Sequence, residues 1–323
     1  MKQVLKKIAL GIMLSATALS AAVAQTVQLP STIKIVVPFS PGAGTDITAR
    51  MLAKLLGEKL GANVIVENKP GASGMIGARQ VANGPKDGSE LMVFSNSLIT
   101  AAATLRNVPF DLVKDLQPVA VLSDSPMLIA VPANSPLKTP ADLVKAAKAR
   151  PGELNHGSGG LGTIAPMTVE LMNAMADMKI AQVPYKGAAP AITDLAAGNL
   201  DLVVAAYSSF ASMLESGRIR LFAVTSKDKV ARFPDVPAMS EAIPGLAANV
   251  WQTLWAPAGV PEDVMNALNK AVVEVTHSEE FGKLIQGEGG VPSRQTPAEL
   301  KERLKTEYET WRKIAKDNNI VVD

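Results

Sequence analysis

Short apolar runs alternate with longer amphipathic segments along most of this 323-residue chain, and this alternation constrains the fold more than any other feature. The first apolar runs are Ile33 to Phe39, Asn63 to Asn68 and Leu91 to Asn96. Between the first two, apolar residues recur at helical spacing from Ile47 to Leu56. This order of strand, helix and strand predicts an α/β fold with largely parallel sheets.

A second series repeats the order after Val121. Thr139 is expected to cap a helix that begins at Pro140. We then predict a strand from Leu154 to Ser158, a helix from Ile164 to Met175, a strand from Ile180 to Tyr185, a helix from Ala189 to Ala197, and a strand from Leu200 to Tyr207. Two series of this kind predict two α/β lobes.

The chain is expected to leave the first lobe once and then return to it. The predicted crossing segments are Val119 to Val131 and Asn249 to Trp255. Because no low-complexity linker separates the halves, these crossings should form a short, ordered hinge. The expected boundaries are residues 25–124 with 248–323 for the first lobe, and 125–247 for the second.

The first 24 residues have the features of a secretory signal peptide. Lys2, Lys6 and Lys7 precede an apolar stretch from Ile8 to Leu19, which is shorter than the ~20 residues of a membrane-spanning helix. Cleavage is expected after Ala24. Because the chain has no cysteine, a lipid anchor on a thiol is excluded, and we expect a periplasmic protein free of the membrane.

Charge and motifs exclude several classes of protein. Removing the three leader lysines from the formal net charge of +2 leaves −1 (2 − 3 = −1), which gives no basic surface for nucleic acid. Two histidines cannot form a His-rich metal site, and zinc, CxxC and calcium-loop motifs are absent. We therefore expect no metal and no cofactor. We also expect the protein to be a monomer.

The stretch FSPGAGTD, from Phe39 to Asp46, lies between the first strand and the first helix. Ligands bind at this edge of α/β sheets because helix N-termini carry unpaired N–H groups and a partial positive charge. Gly44 allows close approach of an anion, and Ser40 and Thr45 add hydroxyls. Alternatively, Thr45 only caps the helix and Asp46 only favours its first turn. Composition alone leaves both interpretations open.

The stretch GSGGLGT, from Gly157 to Thr163, is a similar loop in the second series. It matches the spacing G-x-G-x-x-G, but the next strand ends in Tyr185 rather than in the acidic residue that holds a ribose. No Walker phosphate loop occurs either. Further polar candidates follow strands at Tyr185, Asn96 and Ser97, where each side chain suits either a ligand or a local structural role.

No residue set predicts catalysis. Ser158 lies near His156, but G-x-S-x-G is absent, and residues two apart on a strand face the same side without forming a nucleophile and base. Two anion-binding loops without a reactive group favour a receptor over an enzyme. The alternative is a secreted α/β hydrolase or lyase that uses Ser158, His156 or Asp46.

Four stretches, in this order behind a leader, resemble the Bug, or tripartite tricarboxylate transporter, family of periplasmic substrate-binding proteins. They are VPFSPGAGTDITARMLA, VIVENKPGASGMIGARQVANGPKDG, GSGGLGT and VPYKGAAPAITDLAAG. The resemblance runs from about Ile33 to the C-terminal helix. The segments VENKPGASG and YKGAAPA are its most specific parts.

The resemblance implies a type II, Venus-flytrap protein that closes two lobes over a small organic acid. It also implies delivery to a permease of one large and one small integral membrane subunit; transfer to a signalling sensor is the alternative. The ligand-binding residues implied by position are Ser40, Ala43, Gly44 and Thr45 in the first loop, Ser158, Gly159, Gly162 and Thr163 in the second, and Tyr185.

Two positions depart from the family pattern. Pro166 stands where a histidine is usual, and Ala205 stands where many members have an acidic residue. An ammonium group needs a carboxylate partner, so the missing acid favours a plain mono- or dicarboxylate over an amino acid.

Overall fold

The computed structural model describes residues 27–160, 162–185, 187–293, 295–317 and 320–321. The leader predicted at residues 1–24 lies outside this range. In chain order the elements are β1 (Thr32–Val37), α1 (Gly44–Leu60), β2 (Asn63–Asn68), α2 (Met75–Ala82), β3 (Glu90–Ser95), α3 (Ser97–Thr104), β4 (Leu116–Pro126), β5 (Leu128–Pro132), α4 (Pro140–Ala149), β6 (Asn155–Ser158), α5 (Ile164–Ala176), β7 (Ala181–Pro184), α6 (Ala188–Ala196), β8 (Leu202–Ala205), α7 (Tyr207–Glu215), β9 (Ile219–Val224), β10 (Asn249–Pro257), α8 (Glu262–Thr276), α9 (Glu279–Gly287) and α10 (Pro297–Asp317). Short 3₁₀ turns occupy Ala72–Gly74 and Met239–Glu241.

The strands form two five-stranded sheets, and each sheet defines a lobe. The sheet of the first lobe has the order β2-β1-β3-β10-β4, and the sheet of the second has the order β7-β6-β8-β5-β9. Buried apolar side chains of each sheet pack against the flanking helices, as Ile35 and Leu52 do in the first lobe. The two-lobed α/β fold expected from the sequence is confirmed.

Each sheet is mixed, whereas the sequence predicted largely parallel strands. In the first lobe, β1 pairs in parallel with β2 and β3, but β10 runs antiparallel to β3 and β4. In the second lobe, β6 pairs in parallel with β7 and β8, while β5 is antiparallel to β8 and β9. The antiparallel strands are β10 and β5, each of which follows a crossing between the lobes. A strand that enters a sheet from the other lobe starts at the end of the sheet where the parallel strands finish, so it runs in the opposite direction.

The crossing between lobes is short on the outward path. Strand β4 ends at Pro126 and β5 begins at Leu128, so one residue, Met127, separates strands of different sheets. The return path runs from β9 to β10, where the hydroxyl of Thr225 donates to the carbonyl of Ala248 (2.5 Å) and accepts from the N–H of Met127 (3.2 Å). These bonds tie the two crossings to each other at the hinge.

Helix α10 packs along the hinge and contacts both lobes. Its Trp311 belongs to one apolar cluster with Ile99 of the first lobe and Met172 of the second. Arg303 of the same helix donates to Asp124 of β4 (2.9 Å) and lies 4.4 Å from the ring centroid of Trp251 in β10. The C-terminal helix therefore links both hinge strands.

Candidate functional site

The first predicted loop connects β1 to α1 through a left-handed residue. Gly42 has φ = 83°, a conformation in which a Cβ is unfavourable. The N-cap of α1 is Ala43, which provides no side-chain cap, so the alternative in which Thr45 caps this helix is wrong. In the described part of the chain, no acceptor is found for the N–H groups of Gly44 and Thr45. These amides are free to bind an anion.

Asp46 stabilises this loop by accepting hydrogen bonds with its buried carboxylate. Its side chain is buried, and its Oδ2 accepts hydrogen bonds from the Gly42 N–H (2.9 Å) and from Arg50 Nε (3.0 Å). Its Oδ1 accepts from Asn68 Nδ2 (2.8 Å), which also donates to the carbonyl of Phe39 (3.0 Å). Burial by itself raises the pKa of Asp46, but the bonds from Arg50, Gly42 and Asn68 outweigh it and hold the pKa below its usual value. This geometry favours a positioning role over ligand contact.

The remaining residues of the first loop lie nearer the surface. Ser40 is exposed, and its carbonyl accepts from the N–H of Ala43 (3.2 Å). The half-buried ring of Phe39 packs edge-on against Phe94, with centroids 5.2 Å apart.

The second predicted loop connects β6 to α5 and contains an unpaired hydroxyl. Ser158 is 1% exposed, and its Oγ has no hydrogen-bond partner among the residues that the structure describes. Gly159 passes so close to α6 that a Cβ there would lie 2.7 Å from the backbone nitrogen of Ala188. Gly162 has φ = 71°, and Thr163, the N-cap of α5, donates its hydroxyl to the carbonyl of Gly160 (2.7 Å). Because buried polar groups are normally hydrogen-bonded, the Ser158 hydroxyl is a candidate for contact with a ligand.

The polar residues after β3 connect the lobes and the hinge. Ser97 Oγ accepts a hydrogen bond from the N–H of Ile164, at the start of α5 in the opposite lobe (3.2 Å). The side chain of Asn96 bonds to the backbone of β10, donating to the carbonyl of Asn249 (3.0 Å) and accepting from the N–H of Trp251 (3.4 Å). Ser97 therefore lies at the interface between lobes, whereas Asn96 is committed to the hinge.

Tyr185 directs its hydroxyl towards its own lobe. The hydroxyl donates to Asp194 Oδ2 of α6 (2.7 Å), and this hydrogen bond, followed by burial, raises the pKa of Tyr185. The ring packs against the apolar core of the second lobe. With its proton committed to Asp194, the hydroxyl can only accept a hydrogen bond, so it is available to a donor group of a ligand and not to a carboxylate.

The two lobes meet over a narrow cavity of about 30 Å³. A Cβ on Gly44 would lie 3.9 Å from Ser208 Oγ of α7, so the N-termini of α1 and α7 face each other. The cavity is lined by Gly44, Ile47, Thr48, Ser123, Ser125, Ala206, Val250, Gln252, Leu284, Ile285 and Glu288. Gln252 Oε1 is buried there and has no hydrogen-bond partner in the described part of the chain. We take this interlobe cleft as the candidate site.

Two larger depressions lie outside the cleft. One, of about 680 Å³, separates α5 from α10, and the other, of about 640 Å³, lies between Val108–Val113 and α10. Both are open grooves away from the two loops. Over the residues that the structure describes, no helix combines the length and apolarity of a membrane span, and no cluster of side chains is suited to a metal ion.

Several cleft residues were not predicted from the sequence. Ser123, Ser125 and Gln252 lie on the crossing strands, whose side chains reach the cleft only because the hinge forms its floor. Ala206 and Ser208 follow β8 at the same sheet edge as Ser158, and that shared edge was the signal available in the sequence. No sequence pattern near Glu288 indicated that it lines the cleft, because it follows α9, far from the two predicted loops in the chain.

His156 is held neutral in the interior. It is 1% exposed, and burial lowers its pKa to about 4 despite a backbone hydrogen bond. Among the described residues its Nε2 has no partner, so no hydrogen bond links it to the Ser158 hydroxyl. The geometry of a serine nucleophile activated by this histidine is therefore not formed.

We expect His156 to weaken the fold as pH falls. Its pKa is about 4 in the folded state and 6.5 when exposed, so the unfolded chain binds the extra proton between these values. The free energy of unfolding should drop by about 2 kcal/mol between pH 7 and pH 5 from this residue alone. Denaturant unfolding of wild type and His156→Asn at both pH values measures the difference. Equal losses in both proteins would show that His156 is not the cause.

The fold and the cleft together define a two-lobed solute-binding protein. The family model for the tripartite tricarboxylate transporter family receptor matches residues 48–320, and the chain belongs to this family of periplasmic solute receptors. The expectation of a receptor rather than an enzyme is thereby confirmed. The chain is 31% identical to protein BugT of Bordetella pertussis over 314 residues, covering 95% of each chain.

Solved structures of similar proteins include two with bound acids. One is an R. palustris protein with adipate, which is 32% identical, has a TM-score of 0.82, and matches 90% of this chain and 98% of that one. Another is MatC from Rhodopseudomonas palustris with bound malate, which is 27% identical, has a TM-score of 0.79, and matches 88% of this chain and 98% of that one.

Proposed function

We propose that this protein binds a small organic carboxylate between its lobes and delivers it to a tripartite tricarboxylate-type permease. The observation that carries the proposal is one polar loop at a strand end in each lobe: among the described residues, the helix amides of Gly44 and Thr45 have no acceptor and the hydroxyl of Ser158 has no partner. Amides and hydroxyls hold a carboxylate without a cation, because helix dipoles favour negative charge at these ends. The adipate and malate of the two similar proteins support this ligand class.

The proposed carboxylate clamp consists of Ser40, Ala43, Gly44, Thr45, Ser97, Ser158, Gly159, Gly162 and Thr163, with Phe39, Asp46, Asn96 and Tyr185 supporting it. The lobes that close over the ligand comprise residues 25–124 with 248–323, and 125–247. A ligand that touches both lobes favours the closed form by its differential affinity for that form. The closed surface is then recognised by the large and small membrane subunits, after cleavage of the leader and release of a monomer into the periplasm.

A thermal-shift screen tests the binding step. The mature protein is unfolded and refolded to remove carried-over ligand, and then heated with individual mono- and dicarboxylic acids. At a hundredfold excess over the Kd, a bound acid stabilises the fold by about 2.7 kcal/mol, which raises the melting temperature by several degrees.

The matched control replaces each acid by the alcohol of the same carbon chain, which should give no shift. Ser158→Ala should reduce the affinity for an active acid about tenfold, since a buried hydrogen bond to a charge is lost. If no carboxylate shifts the melting temperature, the proposal is wrong.

A further inference from the structure

Three polar side chains on the hinge strands form the floor of the cavity between the lobes. Ser123 and Ser125 of β4 are 1% and 7% exposed, and Gln252 lies opposite Ser123 on β10. All three line the cavity, and among the described residues no hydrogen bond is found for the two hydroxyls or for Gln252 Oε1. Buried polar groups are normally paired, so this floor is suited to contact a polar group of a ligand.

Glu288 gives the same cavity a negative charge. It is the only charged residue that lines the cavity in the described part of the chain. Its Oε2 accepts a hydrogen bond from the N–H of Ser208 (3.1 Å), whereas no partner of its Oε1 and no ion pair are found among the described residues. The cavity therefore offers several hydrogen-bond acceptors and a charge that no described cation neutralises.

The cavity borders the N-terminus of α1. Gly44 lines it, and a Cβ on Gly44 would lie 3.9 Å from the hydroxyl of Ser208, whose N–H donates to Glu288. Glu288 is therefore a neighbour of the amides of Gly44 and Thr45, to which the proposed function assigns the ligand carboxylate. With about 30 Å³, the cavity has room for one group about the size of a water molecule. An ammonium group is of this size.

We propose that this cavity is an ammonium subsite, and that the ligand is an organic acid with an amino group on the carbon next to its carboxylate. The inference rests on the proposed carboxylate function. With the carboxylate on the amides of α1, the adjacent ammonium donates to Glu288, to Gln252 and to a serine hydroxyl of the floor. An ammonium has three donors and no acceptor, which matches this set of groups. A plain acid places only C–H groups there and leaves the acceptors unpaired.

Glu288 also changes what the missing acid at position 205 implies. The chain has Ala205 where many members of the family carry an acidic residue, and this absence favoured a plain acid over an amino acid. In the structure the next residue, Ala206, lines the cavity together with Glu288. A carboxylate from the first lobe thus stands beside this segment of the second lobe, and it supplies the partner that an ammonium group needs.

Calorimetric titration with acids that differ in one substituent tests the inference. The probes form three series: propanoate, lactate and alanine; succinate, malate and aspartate; and hexanoate, 2-hydroxyhexanoate and norleucine. In each series a hydrogen next to the carboxylate is replaced by a hydroxyl and then by an ammonium group. In the series that binds best, the refolded wild type should bind the amino acid about tenfold more tightly than the plain acid. The hydroxy acid should fall between them, because its hydroxyl has one donor and no charge.

Glu288→Gln keeps an oxygen for the N–H of Ser208 but removes the charge. It should lower the affinity for the amino acid about tenfold and leave the affinity for the plain acid within about threefold. Gln252→Met removes a neutral acceptor at similar volume and should lower the affinity for the amino acid about threefold. Glu279→Gln is the matched control, because Glu279 lies on α9 and pairs with Lys283 on the surface. It should leave both affinities unchanged.

Two results would overturn the ammonium subsite and leave the proposed function standing. One is a wild type that binds the plain acid as tightly as the amino acid. The other is a Glu288→Gln variant in which the ratio of the two affinities equals that of the wild type. If no acid of any series binds the wild type, the proposed function and this inference both fail.

Discussion

Replacing Arg303 by methionine is expected to lower the free energy of unfolding by about 3 kcal/mol. Arg303 donates to Asp124 and Glu307, each at 2.9 Å, and all three side chains are largely buried. Glu307 in turn accepts from the indole N–H of Trp251 (2.9 Å). Methionine preserves most of the apolar packing but leaves two carboxylates at the hinge without their cation. Denaturant unfolding of the mature protein at pH 7 measures the loss.

Arg312→Met is the matched control, because Arg312 lies on the same helix but is exposed. Its effect should stay within about 0.5 kcal/mol. Burial raises the pKa of Glu307 even beside Arg303, so in the Arg303 variant Glu307 should take up a proton readily and the loss should shrink as pH falls. Adding Asp124→Asn and Glu307→Gln should recover part of the stability. Equal effects of the two arginine substitutions would contradict the role of Arg303 at the hinge.

Gly159→Ala is expected to weaken carboxylate binding about hundredfold, equivalent to about 2.7 kcal/mol. The new Cβ would lie 2.7 Å from the nitrogen of Ala188 and 2.9 Å from the carbonyl carbon of Gly187. Both atoms belong to the backbone and cannot rotate away, so the second loop must move away from α6. That movement displaces the hydroxyl of the adjacent Ser158. Calorimetric titration with the acid selected by the thermal-shift screen measures the effect.

Gly160→Ala provides a control at the adjacent position. A Cβ on Gly160 would lie 3.2 Å from the methyl carbon of Thr163, which can adjust by a small rotation. Its affinity should stay within about threefold of the wild type. Circular dichroism melting of both variants separates a local loss of binding from a loss of folding. If both alanines weaken binding to the same extent, close packing of Gly159 is not what shapes the site.

The fold was predictable where local pattern and packing agree. The run NVIVEN forms β2 at the expected residues, and Thr139 caps α4 through a capping box with Asp142. The antiparallel members of each sheet were not predictable, because periodicity reports burial but not strand direction. The contact of α10 with both lobes was also missed, since its apolar stripe does not specify which surface it covers.

The sequence placed both loops of the candidate site at strand ends, as the structure does. It did not indicate which of their side chains form hydrogen bonds within the protein. Asp46 and Asn96 carry groups that suit a ligand, yet Arg50 and the backbone of β10 engage them. Arg50 is only four residues from Asp46, but the backbone of β10 lies more than 150 residues from Asn96, so only the tertiary structure reveals that second contact. Conversely, Glu288, which directly follows α9, lines the cleft and accepts a hydrogen bond from Ser208, 80 residues earlier in the chain.

A crystal structure of the refolded mature protein with the best acid from the screen tests the central claim most directly. We expect one ligand carboxylate between the lobes, with its oxygens about 2.7–3.2 Å from the N–H groups of Gly44 or Thr45 on one side and from the Ser158 hydroxyl on the other. A carboxylate bound outside the cleft, or bound in it by only one of the two loops, would contradict the two-loop site.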